Sequence, residues 1–172
     1  MKKQIIRHFI IISCITLFSL QCALVHNHFK KSLLPFDGTI RMGCLEKPVT
    51  VKRDSLGIPC IQAQNENDLF CATGYVTASY RLTQMVILKH AIQGRLSEIA
   101  GSDTLPIDRF MRSLGVKAVV DKTMKQMDEH GRMMLKSFAR GVNHYIHTTP
   151  QLPPELVLTG FTPDRWKPED SL

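Results

Sequence analysis

Val49-Thr50-Val51-Lys52-Arg53-Asp54-Ser55-Leu56-Gly57-Ile58-Pro59-Cys60-Ile61-Gln62-Ala63 reads as a β-hairpin. Val49, Val51 and Arg53 alternate with Thr50 and Lys52, the period of two that turns one set of side chains to a buried face. Asp54-Ser55-Leu56-Gly57 is turn chemistry: the aspartate can accept from backbone amides two residues on, and glycine can take a positive φ. Ile58 to Ala63 returns as the second strand. Pro59 stands near its start, where a missing N–H costs least.

Downstream the period changes from two to that of a helix. Asn65-Glu66-Asn67-Asp68 opens it, with Asn67 as the expected N-cap. From Leu69 to Ile92 apolar residues recur at Ala78, Leu82, Met85 and Ile92, with polar Lys89 between them. Gly74 is expected to break this run in two. Arg95 to Ala100 adds a short helix that Gly101 ends. Asp103 or Thr104 with Pro106 starts another, with Phe110 and Leu114 on its inner face and Gly115 stopping it. Asp121 to Met127 is expected to be helical. Asp128 to His147 is the clearest helix, with Leu135, Phe138, Ala139, Val142, Tyr145 and Ile146 on one face. Thr149 to Pro154 is a proline-rich break, and Phe161 to Asp170 a loop holding the single tryptophan, Trp166. Pro168-Glu169-Asp170-Ser171 is written as a helix start, and Leu172 follows it. The fold class is therefore α+β, an N-terminal hairpin followed mostly by helices.

Upstream, Lys2, Lys3 and Arg7 precede the apolar run Phe9 to Leu20, the pattern of a secretory signal. A spanning helix wants about 20 apolar residues, which this run reaches only through Gln21 and Cys22. Residues 1–25 are thus expected to be a signal peptide or membrane anchor, with residues 5–25 the part that would enter a membrane. The chain is expected to be exported, to the periplasm or a membrane surface. Cys22 would be the lipid carrier, but Gln21 before it is too large and polar for that signal. Residues 26–34 read as a linker, and residues 35–172 as the folded segment.

The 172 residues are 44% hydrophobic and 22% charged, enough to bury a core in one domain. The net charge of +7 includes the three cations of the leader. No basic cluster with interleaved aromatics occurs, so no nucleic-acid partner is expected. Beyond the leader stand Cys44, Cys60 and Cys71; an odd count gives no closed framework. One disulfide with one buried thiol, or three buried thiols, both fit.

Several blocks resemble the N-terminal, α-subunit part of penicillin acylases. They are Val51-Lys52-Arg53-Asp54 with Gly57-Ile58-Pro59; Gly74-Tyr75-Val76 with Ala78, Arg81-Leu82 and Gln84-Met85; and Gln93-Gly94-Arg95-Leu96-Ser97-Glu98. Further blocks are Asp108 with Arg112 and Leu114-Gly115; Gly141-Val142-Asn143; and Leu152-Pro153 through Gly160 to Trp166, Pro168, Asp170 and Ser171. The resemblance implies an N-terminal-nucleophile hydrolase with an αββα core. There, a serine freed at the start of a β subunit attacks linear amides such as penicillins or acyl-homoserine lactones. It also implies that the nucleophile, the oxyanion donors and most ligands of a structural calcium lie outside these residues. No catalytic, cofactor-binding or metal-ligating residue is therefore assigned here, and the chain is expected to be inactive alone. The implied partner is a β subunit, should one be separately encoded; a small N-acyl substrate belongs to the complete enzyme only. Three positions depart from the family pattern: Cys60 replaces a histidine, and Ser79 and Tyr80 replace a glutamine and an aspartate before Arg81. The alternatives are half of a split acylase and a non-catalytic envelope or binding protein derived from the family.

Four other features carry chemistry in principle. Asp37-Gly38-Thr39 invites a phosphatase reading, but the nucleophilic aspartate of that motif would fall at Pro35, so a turn is expected. Arg53-Asp54 is expected to stabilise a turn. His144 and His147 have metal-ligand spacing without an evident third ligand. Met124, Met127, Met133 and Met134 are expected to fill core and interface space.

Overall fold

The computed structural model describes residues 37–172, together with Gln21 and Lys30. The leader, lipid and linker readings lie outside that span. Within it no helix is long and apolar enough to cross a membrane.

The hairpin forms as its alternation dictates. Strand β1 (Thr50–Arg53) pairs antiparallel with β2 (Pro59–Gln62), with Val51 opposite Ile61 and Arg53 opposite Pro59 on the half-buried face. Asp54 closes the turn: its Oδ1 accepts from the amides of Leu56 at 2.9 Å and Ile58 at 2.8 Å. Gly57 sits at φ +79°, a conformation that glycine adopts without strain.

Helix α1 (Glu66–Ile92) begins one turn earlier than the apolar spacing suggested. Its N-cap is Asn65, not Asn67; Asn65 Oδ1 accepts from the Asp68 amide at 2.7 Å. The expected break at Gly74 does not occur. The helix runs through it and kinks at Arg81 (φ −137°, ψ 20°). At its far end Gly94, at φ +65°, and Arg95 donate back to Ala91 and His90 carbonyls, the paired bonds of a Schellman close. Short helix α2 (Ser97–Ala100) ends at Gly101 as expected. A 3₁₀ turn (Ser102–Thr104) then leads into α3 (Leu105–Ser113). Helix α4 (Val116–Gln126) is longer than the expected Asp121 to Met127. Asp128 caps α5 (Glu129–Thr148), its Oδ1 accepting from Gly131 at 2.7 Å. A sixth helix, α6 (Pro154–Thr159), precedes the final 3₁₀ turn (Pro168–Ser171).

The core lies between α1 and α5. Ser137 bonds Asn67, a β-carbon on Gly141 would strike the Cys71 carbonyl, and the Tyr145 ring packs on Tyr75 at 5.6 Å. Each row advances four residues per step in the same order, so the two helices run in the same sense with their i,i+4 ridges meeting. Glycine permits the approach. A β-carbon on Gly74 would overlap the Phe138 carbonyl. That is why Gly74 stands inside a helix: it is a contact point and not a breaker. Ala78, Leu82, Val86, Ala139, Val142, Tyr145, Leu156 and Trp166 complete the buried set.

Two further expectations are corrected. Phe110 and Leu114 face out of α3, and the residue that α3 buries is Asp108. Cys44 and Cys71 form a disulfide, whereas Cys60 is a free and exposed thiol on β2, opposite Lys52. The leftover cysteine is therefore not buried.

Candidate functional site

Residues from four of the family-like blocks converge where α1 ends and the last loop crosses it. Lys89, read above as a polar interruption, points inward and meets Asp170. Its Nζ lies 2.8 Å from Asp170 Oδ2, with 6% and 3% of the two side chains exposed. Lys89 Nζ also donates to the Arg165 carbonyl at 3.4 Å and stands 5.3 Å from the centre of the Trp166 ring. Asp170 accepts from Gln93 Nε2 at 3.0 Å and from the Lys167 amide at 2.8 Å. The tryptophan is held at three points. Asn143 of α5 accepts from its amide (2.8 Å) and donates to its carbonyl (2.7 Å), and the indole Nε1 donates to Ser171 Oγ at 2.9 Å.

A second cluster fixes α2. Asp108 caps it, accepting from the amides of Leu96 at 2.7 Å and Ser97 at 2.9 Å. Burial pushes the Asp108 carboxyl up; the bonds from Ser97 and Leu96 and the charge of Arg112 outweigh that and leave it below its ordinary value. Arg112 Nε donates to the Gly94 carbonyl at 2.8 Å. Arg95 grips Glu98 through two bonds, at 2.8 and 2.7 Å, and reaches Asp164 at 3.4 Å. The Arg95 hydrogen bond, opposed by partial burial, holds the Glu98 carboxyl low. His90 is buried beside this pair. Its Nδ1 lies 2.8 Å from the Val86 carbonyl, its ring stands edge-on to Phe161, and its Nε2 is 4.0 Å from Glu98.

These four blocks are thus completed by one another: Gln93 by Asp170, Gly94 by Arg112, Ser97 by Asp108, and Asn143 by Trp166. The chemistry of the cluster is clamping. The Lys89 amine is engaged by a carboxylate, a carbonyl and an aromatic face, an arrangement that fixes a chain segment and offers no open position to a substrate. Four serine hydroxyls are committed in the same way. Ser79 donates to Val76, Ser113 to Phe110 and Ser137 to Asn67, while Ser171 accepts from Trp166.

The other residues singled out by sequence fall elsewhere. Asp54 holds the hairpin turn. Arg53 reaches across to Tyr80, donating to its hydroxyl and lying 5.6 Å from its ring centre. The position where the family pattern has aspartate therefore supplies a partner of Arg53. His144 packs on Tyr75 at 5.8 Å, and Met124, Met127, Met133 and Met134 are half-buried. Asp37-Gly38-Thr39 is exposed loop. Among the described residues no three histidines, cysteines or carboxylates converge on a metal position. Sequence reasoning missed Lys89, Asn143 and Asp108 as organising residues. The signal was present in one of them, Lys89, a lysine at a helix position whose period assigns it to the interior.

Comparison with known proteins agrees with this geometry. A family model described as penicillin amidase matches residues 48–172. Acyl-homoserine lactone acylase QuiP of Pseudomonas fluorescens is 38% identical over 141 residues, 81% of this chain and 17% of that protein. Penicillin acylase 2 proenzyme of Pseudomonas sp. is 33% identical over 82% of this chain and 18% of its own length. The chain spans about one sixth of the length of these curated relatives. Among solved structures, a thermostable penicillin G acylase from Alcaligenes faecalis superposes with a TM-score of 0.66 at 26% identity, covering 72% of this chain and 68% of that one.

Proposed function

Since this chain belongs to the penicillin amidase family, we propose that residues 35–172 are the α-subunit-like segment of an amidohydrolase acting on N-acyl bonds of linear amides. The observation that supports this most is the clamp of Lys89, Trp166 and Asp170. It commits Trp166 and Asp170, two of the family-like residues, to joining α1, α5 and the last loop, which is the work of a scaffold. The nucleophilic serine, its amine base and the oxyanion donors then belong to sequence outside these residues, and the chain alone is inactive. The hairpin contributes edge strands to an αββα core completed by a β subunit. The named relatives act on acyl-homoserine lactones and penicillins, which supports an N-acyl substrate of that class. The Cys44–Cys71 disulfide supports export to an oxidising compartment, as does the basic-then-apolar start of the sequence.

The test assays the purified chain, alone and mixed with the polypeptide encoded by the adjoining downstream DNA, on a phenylacetyl amide and an N-acyl-homoserine lactone. Turnover is expected only from the mixture. Turnover by the chain alone that disappears on substituting one of its own serines overturns the proposal.

A further inference from the structure

The segment that leads into the hairpin is fastened to the first turns of α1 twice. Cys44 is bonded to Cys71, and two residues on the backbone is seated on Asp68, whose Oδ1 accepts from the Glu46 amide at 2.7 Å and whose Oδ2 accepts from the Lys47 amide at 3.0 Å. Asp68 and Cys71 are three residues apart on one helix, hence on one face. Asp68 and Cys71 are wholly out of water, while Cys44 keeps 9% of its surface. Beyond these fastenings the segment has little hold of its own: Asp37 to Arg41, Gly43 and residues 46–48 are exposed. Neither fastening belongs to the Lys89 clamp, and the Cys71 contact with α5 is made through its backbone carbonyl at Gly141, not through its sulfur.

We propose that Cys44–Cys71 is a redox latch: it seats residues 37–48 on α1 in an oxidising compartment, and its reduction releases that strap while leaving the α1–α5 core folded. A dithiol reductant performs the release. One of its thiolates attacks the sulfur of Cys44, the more exposed of the two residues, the S–S bond breaks, and Cys71 leaves as a thiolate that takes up a proton. The second thiol of the reductant then closes on the mixed disulfide and frees Cys44. Two electrons pass from the dithiol to the cysteine pair, and the reductant becomes a cyclic disulfide. Without the cross-link, the strap keeps the two backbone bonds to Asp68 and the 3.5 Å bond from Asn67 Nδ2 to Glu46 Oε1, all of which water can replace.

The experiment compares the oxidised full chain, the same chain in excess dithiothreitol, and Cys44→Ser, by brief trypsin digestion and amide exchange. Arg41, exposed within the strap, is the reporter cleavage site. Losing the cross-link is expected to speed cleavage after Arg41 and exchange at Glu46 and Lys47 by at least ~10-fold, in keeping with the loop-closure effect of a disulfide. The amides of α5 should keep their protection. Asp68→Asn, with the disulfide intact, should speed exchange at Glu46 and Lys47 but leave cleavage after Arg41 within about twofold, because the covalent fastening remains. An unchanged cleavage rate on reduction overturns the latch. So does loss of α5 protection together with the strap, which would make the bond a support of the whole fold, and so does an unprotected α5 in the oxidised chain.

Discussion

Lys89 and Asp170 form an ion pair across 81 positions of sequence, the amine of one helix meeting the carboxylate of the last turn at 2.8 Å with almost no water at either side chain. Two charges in such a place are stable only together. Removing either alone, as in Lys89→Met or Asp170→Leu, leaves an uncompensated buried charge and is expected to cost about 3–5 kcal/mol. The double substitution should recover most of that loss. Urea unfolding of the three variants checks it; equal losses in single and double variants would show that the pair is not coupled.

Glycine-to-alanine changes should separate contact glycines from ordinary ones. Alanine in a helix interior normally gains about 0.5–1 kcal/mol over glycine. At Gly74 and Gly141 the added carbon would meet the Phe138 and Cys71 carbonyls, rigid backbone that cannot step aside. Both substitutions are expected to destabilise by about 1–3 kcal/mol or more. Gly131→Ala is the control: there the nearest atom is Met127 Cγ at 2.9 Å, the side chain of a flexible methionine, and the change should be close to neutral. Thermal unfolding distinguishes the two classes.

Acid should loosen the structure at two aspartates. Burial raises the Asp68 carboxyl, but the bonds from Glu46, Asn65 and Lys47 outweigh it, so its folded pKa lies below the ordinary 3.8, as does that of Asp108. A depressed carboxylate contributes stability that is fully present above 3.8 and is lost as pH falls through the lower folded value. Asp68→Asn and Asp108→Asn are each expected to lower stability at neutral pH and to flatten the acid limb below 3.8. Unfolding midpoints measured across that range check the sign.

The outward face of α3 should make the isolated chain sticky. Phe110 and Leu114 are 60% and 53% exposed, on the side of the helix opposite Asp108. Exposed apolar surface of this kind favours association. Replacing both by serine is expected to reduce light scattering and leave the unfolding midpoint within about 0.5 kcal/mol, since neither is core.

Period and turn chemistry made the hairpin and most helix ends legible, because Asp54-Ser55-Leu56-Gly57, Gly101, Gly115 and Asp128 act through bonds to near neighbours. What stayed hidden depended on distant partners. Gly74 looks like a breaker until Phe138 is placed against it. Lys89 looks like a solvent-facing interruption until Asp170, Arg165 and Trp166 surround it. Phe110 and Leu114 have the right spacing for an inner face, yet Asp108 wins that face because two amides at the start of α2 need an acceptor. Of the candidate site, the blocks were recognisable one by one; which block completes which was not, because no local pattern records a contact between Asn143 and Trp166.

That α1 and α5 run in the same direction governs the order in which the molecule is made. Asn67 and Ser137, which touch across the interface, are 70 positions apart. Parallel helices cannot close by a simple turn, so the intervening chain must be synthesised and travel the length of the pair before α5 arrives. Until then α1 waits with Cys71, Ala78 and Leu82 uncovered, and contacts of such high sequence separation form late. During chain elongation the vulnerable species is therefore a finished α1 without its mate, and a chaperone that shields it has most to do between the emergence of Ile92 and that of Tyr145.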